Sequence, residues 1–187
     1  KAAIFTALDS CTGCHSFNAG KASVNMRQGN DRRLVIARSG SNPERRVIGE
    51  FSYNSISPDG RMAVLAYDTS AEIVLYSRSV EPFDMIYTKS RLSLIDLQSG
   101  KTSADSSPDG NTLYDMPVFS SDGTRIIFCA YERGKKIRSI SICSSDLSFK
   151  NIRTELAARD GEFFYFPKMS PDGRWLSYVS GDARNGV

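Results

Sequence analysis

Ser57-Pro58-Asp59-Gly60 returns along the chain as Ser107-Pro108-Asp109-Gly110, Ser120-Ser121-Asp122-Gly123 and Ser170-Pro171-Asp172-Gly173, and three of the four copies bring similar flanks with them. Before the turn stand Phe51-Ser52-Tyr53-Asn54-Ser55-Ile56, Leu113-Tyr114-Asp115-Met116-Pro117-Val118-Phe119 and Phe163-Phe164-Tyr165-Phe166-Pro167-Lys168-Met169, each an aromatic-bearing run. After it come Arg61 to Tyr67, Thr124 to Tyr131 and Arg174 to Val179, rich in the β-branched and aromatic residues that suit a strand. Pro presets φ at the first central position of a tight turn, Asp bonds its own backbone, and Gly accepts a positive φ. Each unit therefore reads as strand, turn, strand. The copy at 107 lies 13 residues before the next turn, too close to open a unit of its own, and reads as an ordinary loop.

A third strand follows in two units, at Arg91–Leu97 and Ile137–Cys143, and helical periodicity is almost absent. The turns at 57, 120 and 170 are 63 and 50 residues apart, near the repeat of propeller blades, with the surplus inserted in the first unit. The expected fold is all-β: a β-propeller of four-stranded antiparallel blades, one partial domain over residues 1–187. A β-sandwich is the competing reading, but sandwiches do not usually repeat a turn in register with its flanking strands. Over about residues 50 to 179 the units resemble the TolB-like, WD40-like propeller repeat, in which Pro-x-Phe/Trp-Ser-Pro-Asp-Gly precedes an apolar strand. That resemblance bears on architecture more than on function.

The 187 residues suffice for one domain with a sizeable core. With 24 Lys+Arg against 21 Asp+Glu, the basic residues are spread among acids, and the one-sided footprint of a nucleic-acid binder is missing. Asp31-Arg32-Arg33 and Glu44-Arg45-Arg46 are locally basic, yet each carries its own acid. No apolar run reaches the length of a transmembrane helix. The sequence opens at Lys1 without a start methionine or a charged-then-apolar leader. No Gly-x-Ser-x-Gly elbow, phosphate loop or dinucleotide glycine pattern occurs, and Asp59, Asp122 and Asp172 read as turn residues of their own units.

The most informative five residues are Cys11-Thr12-Gly13-Cys14-His15, which hold two of four cysteines and the single histidine. In Cys-x-x-Cys-His the two thiols reach the two vinyl groups of one haem as thioethers, and the histidine ligates the iron. Three other uses of the spacing stay open. A thioredoxin-type pair needs a helix N-terminus that this chain does not suggest. Half a zinc site would need both Cys129 and Cys143 as further ligands. A plain disulfide has no need of the histidine. Haem attachment uses every part of the motif, with Cys11 and Cys14 as the linkers and His15 as the proximal ligand.

Cys14-His15-Ser16-Phe17-Asn18-Ala19-Gly20-Lys21 looks like a variant of the repeat turn with one residue added, which grafts the motif onto the first blade. Together with the later turns, it resembles a family of bacterial, notably Bacteroidetes-type, TolB-like propeller proteins carrying Cys-x-x-Cys-His-Ser-Phe. The resemblance implies a c-type cytochrome with one covalent haem used for electron transfer, a redox partner protein, and a periplasmic or cell-surface location. Members of that family look longer, and the last unit here stops after its second strand, so an open ring is expected, completed by a partner chain or a missing C-terminal part. The alternative function is a TolB-like binding or assembly module whose haem is structural or absent, and a peroxidase-like enzyme would lack a distal histidine.

Superposing the turns puts His15 where Ile56, Phe119 and Met169 fall, which makes Met169 the methionine most nearly level with the haem. It is a candidate distal ligand, against the reading that it packs between blades. Cys129 and Cys143, on neighbouring strands, read either as a disulfide or as buried small hydrophobes.

Overall fold

The computed structural model describes residues 11–18, 21–28, 31–38, 44–47, 51–75, 83–108, 111–133 and 137–182, with side chains for 51–67, 88–108, 111–132 and 139–182. These residues form fourteen strands and no helix. The strands β1 (Cys11–Asn18), β2 (Lys21–Gln28), β3 (Asp31–Arg38) and β4 (Glu44–Val47) make one antiparallel sheet in chain order. A second follows as β5 (Phe51–Ile56), β6 (Met62–Leu75), β7 (Phe83–Asp96) and β8 (Thr102–Asp105). The third is β9 (Thr112–Phe119), β10 (Arg125–Arg133), β11 (Ile137–Asp146) and β12 (Arg153–Leu156), and a half sheet follows as β13 (Glu162–Met169) and β14 (Leu176–Asp182). A single parallel bridge, Ile140 to Phe163, ties the half sheet to the third.

First strands stand side by side: β1 packs on β5, β5 on β9, and β9 on β13. Four-strand meanders whose first strands adjoin in sequence are the blades of a propeller. The expected fold is therefore the observed one, three blades and half of a fourth. The surplus in the first repeated unit lengthens β6 and β7 to 14 residues each, against 9 and 10 for β10 and β11. Ser106–Pro108, in the copy that reads as a loop, lies outside any strand between β8 and β9.

Both faces of β6 over 63–66 and of β10 over 126–129 are buried, which is why these runs are apolar without a break. Val64 and Ala66 of β6 meet Phe119, Ile126 and Phe128 in the core between the second and third blades, while Ala63 and Leu65 join Phe51 and Ile56 on the opposite face. In β10, Ile126 and Phe128 face the second blade, and Ile127, Cys129 and Tyr131 face β13. Alternate residues of a strand point to opposite faces, and each large side chain so buried contributes about 1.5–3 kcal/mol.

One set of contacts closes all three turns. The Ser57 hydroxyl donates to Asp59 Oδ1 at 2.6 Å and accepts from the Met62 amide at 2.9 Å, and Asp59 Oδ1 also accepts from the Arg61 amide at 3.0 Å. Ser120 with Asp122, and Ser170 with Asp172, repeat this to within 0.1 Å. The turns abut on one face: a Cβ on Gly123 would lie 3.1 Å from Pro58, and one on Gly173 would run into Ser121 Oγ. Both glycines also have φ near +72°.

The first blade departs from the expected superposition. Ser16 pairs with Ser23 inside the ladder, and the β1–β2 pairing runs on to Asn18 and Lys21, so Ser16 does not open the turn. Phe17 stands where Pro58, Ser121 and Pro171 stand, and the segment carries one residue more than the repeated turns, so the spacing that lets the serine hydroxyl meet the aspartate and the following strand is not kept.

The hydroxyl of Ser120 holds the Asp122 carboxyl down to about 2 from an ordinary 3.8, with the Thr124 amide assisting. A carboxyl depressed in the fold adds stability that is full above 3.8 and is lost as pH falls towards 2. Ser120→Ala should return the Asp122 titration towards the ordinary range, read by carboxyl NMR. Gly123→Ala should cost about 1–2 kcal/mol in urea unfolding, the usual penalty for a side chain at positive φ.

Candidate functional site

Cys11, Cys14 and His15 lie on β1, the first strand of its blade; their side chains fall outside the described residues. The backbone register is informative. Cys11 pairs with Arg27 and Gly13 with Asn25, but His15 pairs with Val24, so Cys14 is an extra residue in a bulge. An unbroken strand sends positions three apart to opposite faces; a bulge resets that alternation between Cys11 and Cys14. Every first strand is bulged: β5 between Phe51 and Asn54, β9 between Asp115 and Val118, and β13 between Tyr165 and Lys168. In β9 and β13 the bulge holds a non-glycine at φ 51°, Met116 and Phe166, each followed by proline.

Met169 ends β13, half-buried against Val118, Ile127 and Ile142 of the third blade. It also lines a cavity of about 320 Å³ together with Arg125, Ile127, Glu155 and Leu176. These are the surroundings of a residue packing between blades. Alignment of Met169 with His15 requires Ser16 to open a turn, and the β1 register does not keep that alignment.

Cys129 and Cys143 are both free and buried. Their strands pair Cys129 with Ile142 and Phe128 with Cys143, one register step apart, so the two thiols point to opposite faces of the blade. Cys129 faces β13, donating to the Phe164 carbonyl at 3.3 Å; Cys143 faces the second blade's core and lies 3.8 Å from Thr154 Oγ1. Opposite faces rule out the disulfide and equally the zinc set that needs both thiols on one ion. Burial pushes both thiols up, away from reactivity. Among the described residues no three His, Cys, Asp or Glu side chains gather as a metal site.

Asp115, unremarked in the sequence, is the most unusual titratable group. It sits beside the β9 bulge, fully buried, where β13 carries Tyr165. Its Oδ1 accepts from the Met116 amide at 2.7 Å and from the Ser52 hydroxyl of β5 at 3.3 Å, while Oδ2 is buried with no hydrogen-bond partner. Desolvation raises it to about 7. The only sequence signal was an acid inside the aromatic run Leu113–Phe119.

The architecture is that of a TolB-like β-propeller. TolB from Acinetobacter baumannii is similar over 95% of this chain and 42% of its own, with a TM-score of 0.62 at 16% identity. A prolyl endopeptidase gives 0.60 over 91% of this chain and 24% of its own at 12% identity. The Kuenenia stuttgartiensis hydrazine synthase gives 0.53 over 85% and 46% at 16% identity. At such identities the likeness is one of fold, and the chain spans less than half the length of these structures. No protein-family model and no curated protein matches the sequence.

Digestion of unreduced protein after alkylation should return Cys129 and Cys143 on separate alkylated peptides; a linked pair would contradict the opposed faces.

Proposed function

We propose that the chain is the haem-bearing part of an exported propeller protein, a c-type cytochrome in which Cys11 and Cys14 hold one haem by thioethers and His15 is the proximal iron ligand. The observation that carries the reading is the placement of the chain's one histidine and a Cys-x-x-Cys pair on a blade's first strand, with a bulge at Cys14. The donor set fits: two thiols and one imidazole are what covalent haem requires. Haem, when bound, supplies a one-electron couple. The two linkages would tether the ring to β1, the strand that lies beside β5. Covalent attachment takes place outside the bacterial cytoplasm, which places the protein in the periplasm or at the cell surface, facing a redox partner protein.

The open side of the half blade supports completion of the ring by further sequence or a partner chain. Trp175, Tyr178 and Val179 are 69%, 44% and 54% exposed, whereas Phe128 and Cys129, the counterparts of the last two in the third blade, are buried. The same openness favours the second reading, a TolB-like binding or assembly module. Colour separates them: an electron carrier needs the haem, and a binding module does not.

Expressed with a periplasmic haem-maturation system, the protein should gain the mass of one haem that survives denaturation, and replacing both thiols, Cys11→Ala with Cys14→Ala, should leave any retained haem extractable by acid acetone. A polypeptide of unmodified mass would overturn the reading. With the surroundings described above, Met169→Ala should cost about 1–3 kcal/mol in urea unfolding and leave the oxidised near-infrared spectrum unchanged. Loss of a weak band there would instead make Met169 the distal ligand.

A further inference from the structure

The carboxyl of Asp115 joins two blades where their first strands meet. Ser52, which donates to it, belongs to β5; the Met116 amide, its other donor, lies in the β9 bulge. We propose that Asp115 is a proton-operated latch between the second and third blades: neutral, it stays buried with both hydrogen bonds in place, and ionised, it draws the β5–β9 contact open to water.

The groups around it leave the charge uncompensated. From β10 the facing titratable groups are Cys129, a thiol that the Asp115 charge pushes further up, and Tyr131, buried on the same face with its hydroxyl 3.9 Å from Met116 Sδ. In β7, Arg91 is engaged with Asp105 at 3.4 Å and lies over the Tyr67 ring of β6, and Ser90 donates to the Tyr114 carbonyl. Lys89 of β7 is exposed. In β13, Glu162 is held by Arg159, Lys168 is exposed, and Tyr165 stacks with Phe163. From β5 come the Ser52 hydroxyl and Tyr53, whose ring meets Phe166 edge-on. Within β9, Tyr114 packs edge-on to Phe128. Among the described residues no cation pairs with Asp115.

An ionised carboxylate with one oxygen bonded to nothing is expensive in a dry interior, and the ordinary response is to hold a proton or admit water. The neutral acid needs less: its carbonyl oxygen keeps both donors, and only a hydroxyl goes unpaired. Met116 at φ 51° adds backbone strain beside it, so the bulge is a natural place for the opening to begin.

The sign follows from the direction of the shift. The folded protein holds the Asp115 proton up to about 7 and the unfolded chain releases it near 3.8. Its contribution to stability is therefore full below 3.8, declines as pH rises towards 7, and is level above that. The latch does not depend on the haem reading and is tested without it.

Urea unfolding of the intact chain at pH 5, 6, 7 and 8 should show the wild-type unfolding constant rising relative to that of Asp115→Asn by up to about tenfold per pH unit below 7, then levelling. Identical pH profiles in the two proteins would overturn the latch. Should the asparagine variant not fold, hydrogen exchange of the Met116 amide in the wild type serves. Corrected for intrinsic base catalysis, its protection should fall at least tenfold between pH 5 and pH 8, and unchanged protection would equally overturn the proposal.

Discussion

A serine hydroxyl shared between an aspartate two residues on and an amide five residues on sets the geometry from which each repeated blade grows. Because the hydroxyl accepts from the Met62, Arg125 or Trp175 amide, it fixes where the second strand begins and so which of its residues face each neighbouring blade. A slip of one residue would exchange Val64 with Leu65, or Ile127 with Phe128, across the sheet, and both interblade cores would fail together. The same turns touch their neighbours at Pro58 with Gly123 and at Ser121 with Gly173, so the register of one blade is checked against the next.

This dependence explains why so much of the architecture is legible in the sequence. A turn whose chemistry is local, followed by a strand whose two faces are both buried, writes itself as Ser-Pro-Asp-Gly plus an unbroken apolar run. The three expected hairpins form as read, and the extra length of the first repeated unit goes into the β6–β7 hairpin, which lengthens a blade without disturbing its core. The first blade was harder to read because its likeness to the turn was one of composition. The segment carries one residue more than the repeated turns, and the ladder runs past Ser16.

Side-chain facing was the other quantity the sequence could not supply. Cys129 and Cys143 stand on adjacent strands, and whether they meet depends on a single step of register that only the paired ladder defines. Asp115 was invisible for a related reason: its one side-chain donor, Ser52, lies 63 residues earlier, and only the folded arrangement leaves it, among the described residues, without a cation paired to it. The Cys-x-x-Cys-His motif is the converse case. Its spacing is legible without a fold, and the fold adds the bulge at Cys14, which the spacing alone does not imply.

The bulges on the first strands connect these observations. Each opens the ladder by one residue on a strand that adjoins the neighbouring blade's first strand, and what fills the opening differs from blade to blade: Cys14 in β1, Met116 and Pro117 beside Asp115 in β9, Phe166 and Pro167 in β13. A ladder interrupted there leaves side chains free of the strict alternation that the cores demand of β6 and β10. The repeating outer parts of the blades can then be fixed by packing while the inner strands vary. Much of the conformational cost falls in the same places, since Met116 and Phe166 carry two of the three non-glycine positive φ angles among the described residues. Variation in chemistry is cheapest for this fold where its ladders are already broken, and it is there that the cysteine motif and the buried acid are found.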